Sequence, residues 1–422
     1  MIEPNSGKAA KTARAALLLL LSINLFNYID RYVLAAVEPE IRRTFLAPND
    51  VNAMFWTGLL SPAFIVSYMF AAPALGWLAD RFSRWLIIGC AVLVWSLASG
   101  ASGLAGSIVA LLVTRVFVGI GEGGYGPAAP PLISDLFPLA TRGRVLAIFF
   151  AAIPVGSALG YVLGGLVNIH WGWRWAFYLV TPPGLILAFL CFLQKDPRAT
   201  NPLGRPPKAS LADYRHLIKT RSYVFNIFAQ TAMTFALGGL AFWTPAYLEF
   251  RHLPASATAI FGGITVVAGL TSTLTGGFLA DRLMARFPGS YFLVSGVGML
   301  IGFPLLIAML YTPFPYAWGL MFGALFFIFF NTGPSNTALA NVSLPSVRAT
   351  AFALNILVIH LLGDAFAPPL LGFVAGHSNM NVAFLIMSAT MLIAGVLWLM
   401  GMKYLGPDTA AVEAATATPT TA

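Results

Sequence analysis

A membrane protein of twelve helices, built as two sets of six, is predicted by three observations. The chain has 422 residues, of which 58% are hydrophobic and 9% charged, where a soluble domain carries about a quarter charged residues. Its apolar residues gather into twelve runs of the length needed to cross a bilayer core as helix, about 20 residues. A charged turn closing the second run, Gly76-Trp77-Leu78-Ala79-Asp80-Arg81-Phe82-Ser83-Arg84, returns after the eighth as Gly277-Phe278-Leu279-Ala280-Asp281-Arg282-Leu283-Met284-Ala285-Arg286.

The first six spans are expected at 15–37, 53–79, 85–104, 107–136, 145–169 and 173–193. The first follows Lys8, Lys11 and Arg14 and carries Asp30-Arg31; its length and its place in the series make it a span and not a cleaved leader. The second ends on the charged turn, and the fourth holds Arg115 and Glu122. The fifth has Gly156, Gly160 and Gly164 at four-residue spacing, a stripe that lets a neighbouring helix come close. The sixth begins at Trp173-Arg174-Trp175. The second six are expected at 223–248, 255–280, 291–311, 316–341, 349–375 and 382–402. Cys90 and Cys191 fall inside apolar runs and act there as small hydrophobes. These spans divide the chain into a first bundle (1–193), a basic linker (194–220), a second bundle (221–403) and a disordered Ala/Thr-rich tail (404–422). The end of the linker, Leu211–Lys219, has apolar residues at helical spacing and reads either as a helix on the inner leaflet or as a solvated connector.

The two sets are a parallel repeat. Asp80 maps to Asp281 at an offset of 201, Pro138 to Pro345 at 207, and Ala176-Phe177 to Ala383-Phe384 again at 207. Three ordered matches with one short insertion are the mark of duplication.

Basic residues set the expected orientation. With both termini in the cytoplasm, the inner segments hold 18 of the 24 Lys and Arg, and the outer segments hold Arg42, Arg43, Arg174 and Arg251. That asymmetry obeys the positive-inside rule. The net charge of +9 is then an orientation signal and not a nucleic-acid footprint. The one N-glycosylation pattern, Asn341-Val342-Ser343, falls on the expected cytoplasmic face. With compact loops, this favours a bacterial inner membrane; the expected unit is a monomer.

The Gly-x-x-x-Asp-Arg-x-x-Arg turn, its copy, the Trp173-Arg174-Trp175 segment and the two-times-six layout resemble the major facilitator superfamily. A narrower resemblance, carried by Asn27-Tyr28-Ile29-Asp30-Arg31-Tyr32 and by Arg115 through Glu122 to Tyr125, is to its spinster branch. Ser83 departs from the superfamily pattern, which has glycine there. The resemblance implies an alternating-access secondary transporter and not an enzyme, with a lysophospholipid or a sphingosine-1-phosphate-like amphiphile as cargo. It also implies that the turn is a cytoplasmic latch, formed by Asp80, Arg81 and Arg84 and by Asp281 and Arg282. In that latch Asp80 would meet the eleventh helix near Arg348, and Asp281 would meet the fifth near Arg142 or Arg144. A carboxylate at a helix start gains about 0.3–1 kcal/mol, a bias small enough for a reversible gate.

Charges within the spans point to a transport site on their own account. An ionised group near the bilayer centre costs about 2.5–3.5 kcal/mol on insertion scales, so it faces a partner or a wet cavity. Glu122 lies seven residues after Arg115, roughly 10 Å away along one face. The two are too far apart to pair within the helix, and Asp30-Arg31 is the expected opposite party. Asn27 and Tyr28 join the set on the first helix. Glu122, and after it Asp30, are the candidate proton carriers, because a carboxylate alternating between an arginine and an apolar setting changes its affinity for protons. A permanent salt-bridge network is the alternative.

In the second half, His360 and Asp364 share a helical face as a titrating pair or as a local hydrogen bond. Asn331-Thr332-Gly333-Pro334-Ser335-Asn336 interrupts a helix, and freed backbone groups need a polar cavity or protein partners. Asn331 and Asn336, with Trp243, Tyr247 and Asn355, form a candidate wall for the apolar part of an amphiphile. Gly119 to Gly124 matches the dinucleotide pattern letter for letter, but it neither follows a strand nor opens a helix, so the glycines are read as packing positions. No cofactor and no metal are expected; the partners are the amphiphile, protons and membrane lipids. A soluble organic anion or drug-like cargo, and a non-transporting receptor, are the alternatives.

Overall fold

The structure, a computed structural model, describes residues 6–137, 139–196, 215, 217–344 and 347–417. Twelve helices among these are long and apolar enough to cross a membrane: α1 Thr12–Phe45, α2 Ala53–Ala79, α3 Arg84–Leu104, α4 Ile108–Ile133, α5 Ile148–Trp171, α6 Trp173–Phe192, α7 Arg221–Phe250, α8 Ala257–Met284, α9 Ser290–Tyr311, α10 Ala317–Asn341, α11 Ala351–His377 and α12 Met380–Ala415. Large apolar side chains cover their outsides as well as the interior. Phe70 is 80% exposed and Leu274 73%, a surface that water would penalise and lipid does not.

The ends of α1 and α12 run past the expected spans. Beyond residue 37, α1 continues through a charged stretch that is no longer bilayer-apolar but is pinned by its own ion pairs. Glu38, with a fully buried carboxylate, accepts from Arg42 Nε at 3.1 Å and from Thr57 Oγ1 at 2.6 Å. The segment from residue 404, expected to be disordered, is instead helical to Ala417. Two causes are visible. Alanine, the best helix former, is its commonest residue, and Asp408 accepts from Ser222 N at 2.9 Å and Ser222 Oγ at 2.6 Å, capping the start of α7. Of the linker, 197–214 and 216 lie outside the described residues, and so does most of the amphipathic stretch expected there.

Four spans are interrupted, and two of the interruptions obey the repeat. The regular helix of α4 stops at Glu122 and resumes at Tyr125; that of α10 stops at Phe329 and resumes at Thr332. Each break is 207 residues from the other, the offset already read from the sequence. In α2 the regular helix is broken between Gly58 and Leu60, and in α11 a π turn occupies His360–Asp364. Ser83, where glycine was expected, takes φ −55°, a backbone open to any residue, and its hydroxyl caps α3 by accepting Leu86 N at 3.4 Å.

The chain divides into two compact units. One comprises Met1–Gly204 with Phe242–Gly263, and the other Arg205–Ala241 with Ile264–Ala422. Residues 242–263 join the first unit through close contacts of their own: Phe261 packs edge-on to Tyr161 at 4.9 Å, and Gly262 lies against Ala158 O. In the first unit a core of Trp85, Trp95, Tyr125 and Phe149 joins α1, α3, α4 and α5. In the second, Asn226 of α7 ties two helices, donating to Ser335 O at 3.1 Å and accepting from Trp398 Nε1 at 2.9 Å.

Candidate functional site

Glycines decide which face of α1 is left for chemistry. At Gly156, Gly160 and Gly164 a side-chain carbon would collide with Leu25 O, Ile29 O and Ala36, each at 2.7 Å, so α5 lies against the α1 backbone along one flank. On the other side of the site, α4 comes equally close to α2 and α3. A carbon at Gly119 would strike Phe64 O and Ser67 Oγ, and one at Gly121 would meet Trp95 N at 2.6 Å. The glycines of the dinucleotide look-alike are therefore packing positions. Tyr125 Oη donates to Leu20 O at 2.7 Å and Asn24 Nδ2 donates to Phe149 O at 2.8 Å, which fixes the register between α1, α4 and α5.

With the helices so placed, α1 and α4 exchange two ion pairs. Arg31 Nε donates to Glu122 Oε2 at 2.6 Å, and Arg115 Nη2 lies 3.5 Å from Asp30 Oδ2. Each helix gives one acid and one base, and consecutive residues on α1 reach partners seven residues apart on α4. The Asp30–Arg115 pair is sealed, with side chains 3% and 2% exposed. Asp30 also accepts from Ser99 Oγ of α3, beside a cavity of about 10 Å³ lined by Ser96 and Ser99, the size at which a single water fits. The second pair is graded: Glu122 is fully buried while Arg31 is 26% exposed. Arg31 also sits among three rings, its guanidinium carbon 5.0 Å from the centroid of Tyr28, 4.7 Å from Phe64 and 5.5 Å from Tyr68.

The set is under-satisfied. Among the described residues, Glu122 Oε1, Arg115 Nε and Nη1, and the buried amide nitrogen of Asn27 have no hydrogen-bond partner. Unpaired polar atoms in a membrane interior are costly. Several at one place are what a site that trades partners with water, protons or a ligand presents.

Other expected site residues behave differently. His360 Nδ1 meets both oxygens of Asp364, at 2.9 and 3.0 Å, within the π turn of α11. Asn355 donates to Gln230 Oε1 at 2.7 Å and is buried. Asn331 is buried with its amide on Ile328 O, and Asn336 is exposed with its amide on Thr332 O at 2.8 Å; both serve the broken helix itself. Trp243 and Tyr247 are enclosed, and Tyr247 Oη accepts from Arg251 Nη1 at 2.6 Å. They offer no surface to a ligand in this conformation.

The two turn copies make different bonds. Arg84 pairs with Asp135 of the extension of α4, and its amide donates to Asp196 at 2.8 Å. Arg81 lies 3.6 Å from the centroid of Trp77. In the second copy, Asp281 accepts from Tyr291 Oη at 3.0 Å and Arg282 is exposed; Arg348, at the start of the eleventh helix, donates to Ser343 O at 3.3 Å. The side chains of Asp80, Arg142 and Arg144 lie outside the described ones.

Sequence reasoning missed three contributors to the site, and one buried acid outside it. Phe64, Tyr68 and Ser99 have ordinary side chains in apolar runs, and nothing local marks them. Glu38 could have been found: a carboxylate next to a span, four residues from an arginine, is an ion-pair signal.

Comparison with known proteins adds the following. The Major Facilitator Superfamily model matches residues 20–363. Protein spinster homolog 3 of Danio rerio is 36% identical over 385 residues, covering 85% of this chain and 76% of that protein. The sphingosine-1-phosphate transporter SPNS2 of Mus musculus is 35% identical over 378 residues, 83% of this chain and 68% of its own. Among solved structures, a bacterial homologue of the human lysosomal transporter Spinster shares the fold at TM-score 0.79 and 23% identity, over 97% of this chain and 99% of that one.

Proposed function

The chain belongs to the major facilitator superfamily and, within it, to the spinster branch, and on that premise we propose that it carries a small lysolipid-like amphiphile across the membrane by alternating access, driven by protons. The observation that carries the reading is the crossed set of ion pairs between α1 and α4. Two acids and two bases in a membrane interior, with spare acceptors and donors, can exchange a proton for an anionic headgroup without leaving a bare charge in lipid. Glu122 is the assigned proton carrier, because its one described hydrogen-bond partner, Arg31, is also the group in this set most open to solvent. When Arg31 is turned away and no second cation takes its place, Glu122 is left in an apolar setting and takes up a proton. Asp30 is the second carrier, held by Arg115 and Ser99.

Charge asymmetry supports a chain with both termini in the cytoplasm, and compact loops favour a bacterial inner membrane; the working unit in this reading is a monomer. The repeated turns act as the inner latch in this reading, through Asp80, Arg81 and Arg84 in the first copy and Asp281 and Arg282 in the second, with Arg142, Arg144 and Arg348 as the proposed helix-start partners. A soluble organic anion is the competing cargo, since Arg31 and Arg115 would bind either headgroup.

Proteoliposomes holding a labelled lysolipid under an imposed pH gradient test cargo and coupling together. Gradient-driven flux that a soluble organic anion does not compete away is the expected result. Flux of the anion alone would overturn the lipid assignment, and flux insensitive to the gradient would overturn proton coupling. The variant Glu122→Gln is expected to retain exchange down a concentration gradient and lose the response to pH.

A further inference from the structure

Arg31 fills a box that the rest of the first unit builds without it. Tyr28, Phe64 and Tyr68 surround its guanidinium at 4.7–5.5 Å, and the fourth wall is the Glu122 carboxylate at 2.6 Å. Three ring faces and one carboxylate around a cation is the chemistry that binds ammonium and quaternary ammonium groups, because the ring quadrupole attracts any cation and suits a methylated nitrogen that water solvates poorly.

Helix packing holds the backbone of the box in place. Phe64 and Tyr68 are one helical turn apart on α2, and α4 lies against that stretch so closely that a side-chain carbon at Gly119 would strike Phe64 O and one at Gly126 would meet Tyr68 Oη at 2.7 Å. Removing the cation leaves a void that the backbone cannot close. Tyr28, Phe64 and Tyr68 are all partly exposed, so the box has an opening. Glu122 is sealed while Arg31 is not, and Glu122 Oε1 has no hydrogen-bond partner among the described residues. The anion is fixed, therefore, and the cation is the part that can leave.

We propose that the box of Tyr28, Phe64, Tyr68 and Glu122 is the subsite for the ammonium group of a zwitterionic lysolipid, with Arg31 its internal placeholder. The proposal rests on the lysolipid reading of function. As the amphiphile enters, its ammonium replaces Arg31 between the rings and Glu122. The released guanidinium turns its fork of donors to the phosphate, which it matches two bonds at a time. While a zwitterion occupies the box, Glu122 exchanges one cation for another and stays ionised; it takes up its proton after the ammonium has left and before Arg31 returns. An amine-free lysolipid satisfies Arg31 but leaves Glu122 unpaired, and a tailless quaternary amine reaches the box but must compete with Arg31.

The purified full chain, titrated with lysophosphatidylcholine, with lysophosphatidic acid of the same acyl chain and with choline, tests this. Lysophosphatidylcholine is expected to bind about tenfold more tightly than lysophosphatidic acid, and Phe64→Leu or Tyr68→Leu to narrow that ratio toward one. Arg31→Ala empties the box and is expected to gain choline binding at a pH that keeps Glu122 ionised, a gain that Arg31→Ala/Tyr68→Leu loses; misfolding cannot produce a gain. A wild-type ratio near one, a ratio that neither ring variant changes, or no choline gain in Arg31→Ala overturns the subsite and leaves lysolipid transport standing. Binding of neither lysolipid removes both readings.

Discussion

The fourth helix of each half breaks at the same place in the repeat, after Glu122 in α4 and after Phe329 in α10, yet the side chains around the two breaks differ in kind. At the 207-residue offset Arg115 corresponds to Phe322 and Glu122 to Phe329, while Pro127 is kept as Pro334. Backbone geometry has been retained in both copies, and charge occurs in one. A duplicated helix needs its kink on both sides to form a common architecture, whereas one set of charges is enough to bind a headgroup. The aromatic positions do something else: Phe322, Phe326 and Phe330 form a run of ring contacts, with centroids 6.3 and 5.5 Å apart. The turns differ likewise, since Arg84 finds Asp135 in the first copy and position 342, its counterpart, is valine.

The strongest test of this contrast is to remove one charge from the charged half. Arg115→Ala leaves Asp30 buried without its cation and is expected to cost about 3–5 kcal/mol, read as loss of folded protein or as a large fall in melting temperature. Asp30→Asn in the same chain should recover part of that loss. Next in size is the converse, planting the acid in the aromatic half. Phe329→Glu puts a carboxylate where no cation is described and is expected to destabilise by about 2.5–3.5 kcal/mol; tolerance without cost would mean that the halves are chemically interchangeable. A smaller effect is expected from the polar pair that the second half does own. Gln230→Leu strands the buried Asn355 amide, at about 1–3 kcal/mol, measurable as a melting shift with transport intact. Smallest is Asp281→Asn in the exposed turn, expected within about 0–1 kcal/mol, against about 1.5–3 kcal/mol for Arg84→Gln, whose removal frees the carboxylate of Asp135.

The legible parts of the site were those in which a residue type is wrong for its surroundings. Asp30, Arg31, Arg115 and Glu122 stand out in apolar runs because an ionised group there is expensive, and the spacing of Arg115 and Glu122 on one face directs both to a partner helix. Which acid meets which base was not legible. Asp30 and Arg31 are neighbours and point to different sides of α1, so pairing depends on the rotation of α1 against α4, set by the glycines of α5 and α4. Phe64 and Tyr68 carry no signal at all: an aromatic residue on an apolar helix is as well suited to lipid or core as to a cation. Trp243 and Tyr247 show the reverse failure. Their polar-aromatic character reads as a ligand wall, and they are enclosed by packing.

By itself, then, the sequence determined the solvent, the number of spans, the duplication and its offset, and the short list of charged residues. All of these follow from local free energies: about 20 apolar residues cross a bilayer core, and a charge inside one must be compensated. Only the tertiary structure decided that Arg31 takes Glu122 and Arg115 takes Asp30, that Ser99 joins them, that three rings surround Arg31, and that residues 404–417 are helical. The ion pairs and the Ser99 contact depend on helix rotations and approaches between residues 69–91 positions apart, the rings of α2 reach Arg31 from 33 and 37 positions away, and Asp408 meets Ser222 across 186. Such distances are fixed by packing the whole bundle and by no segment alone.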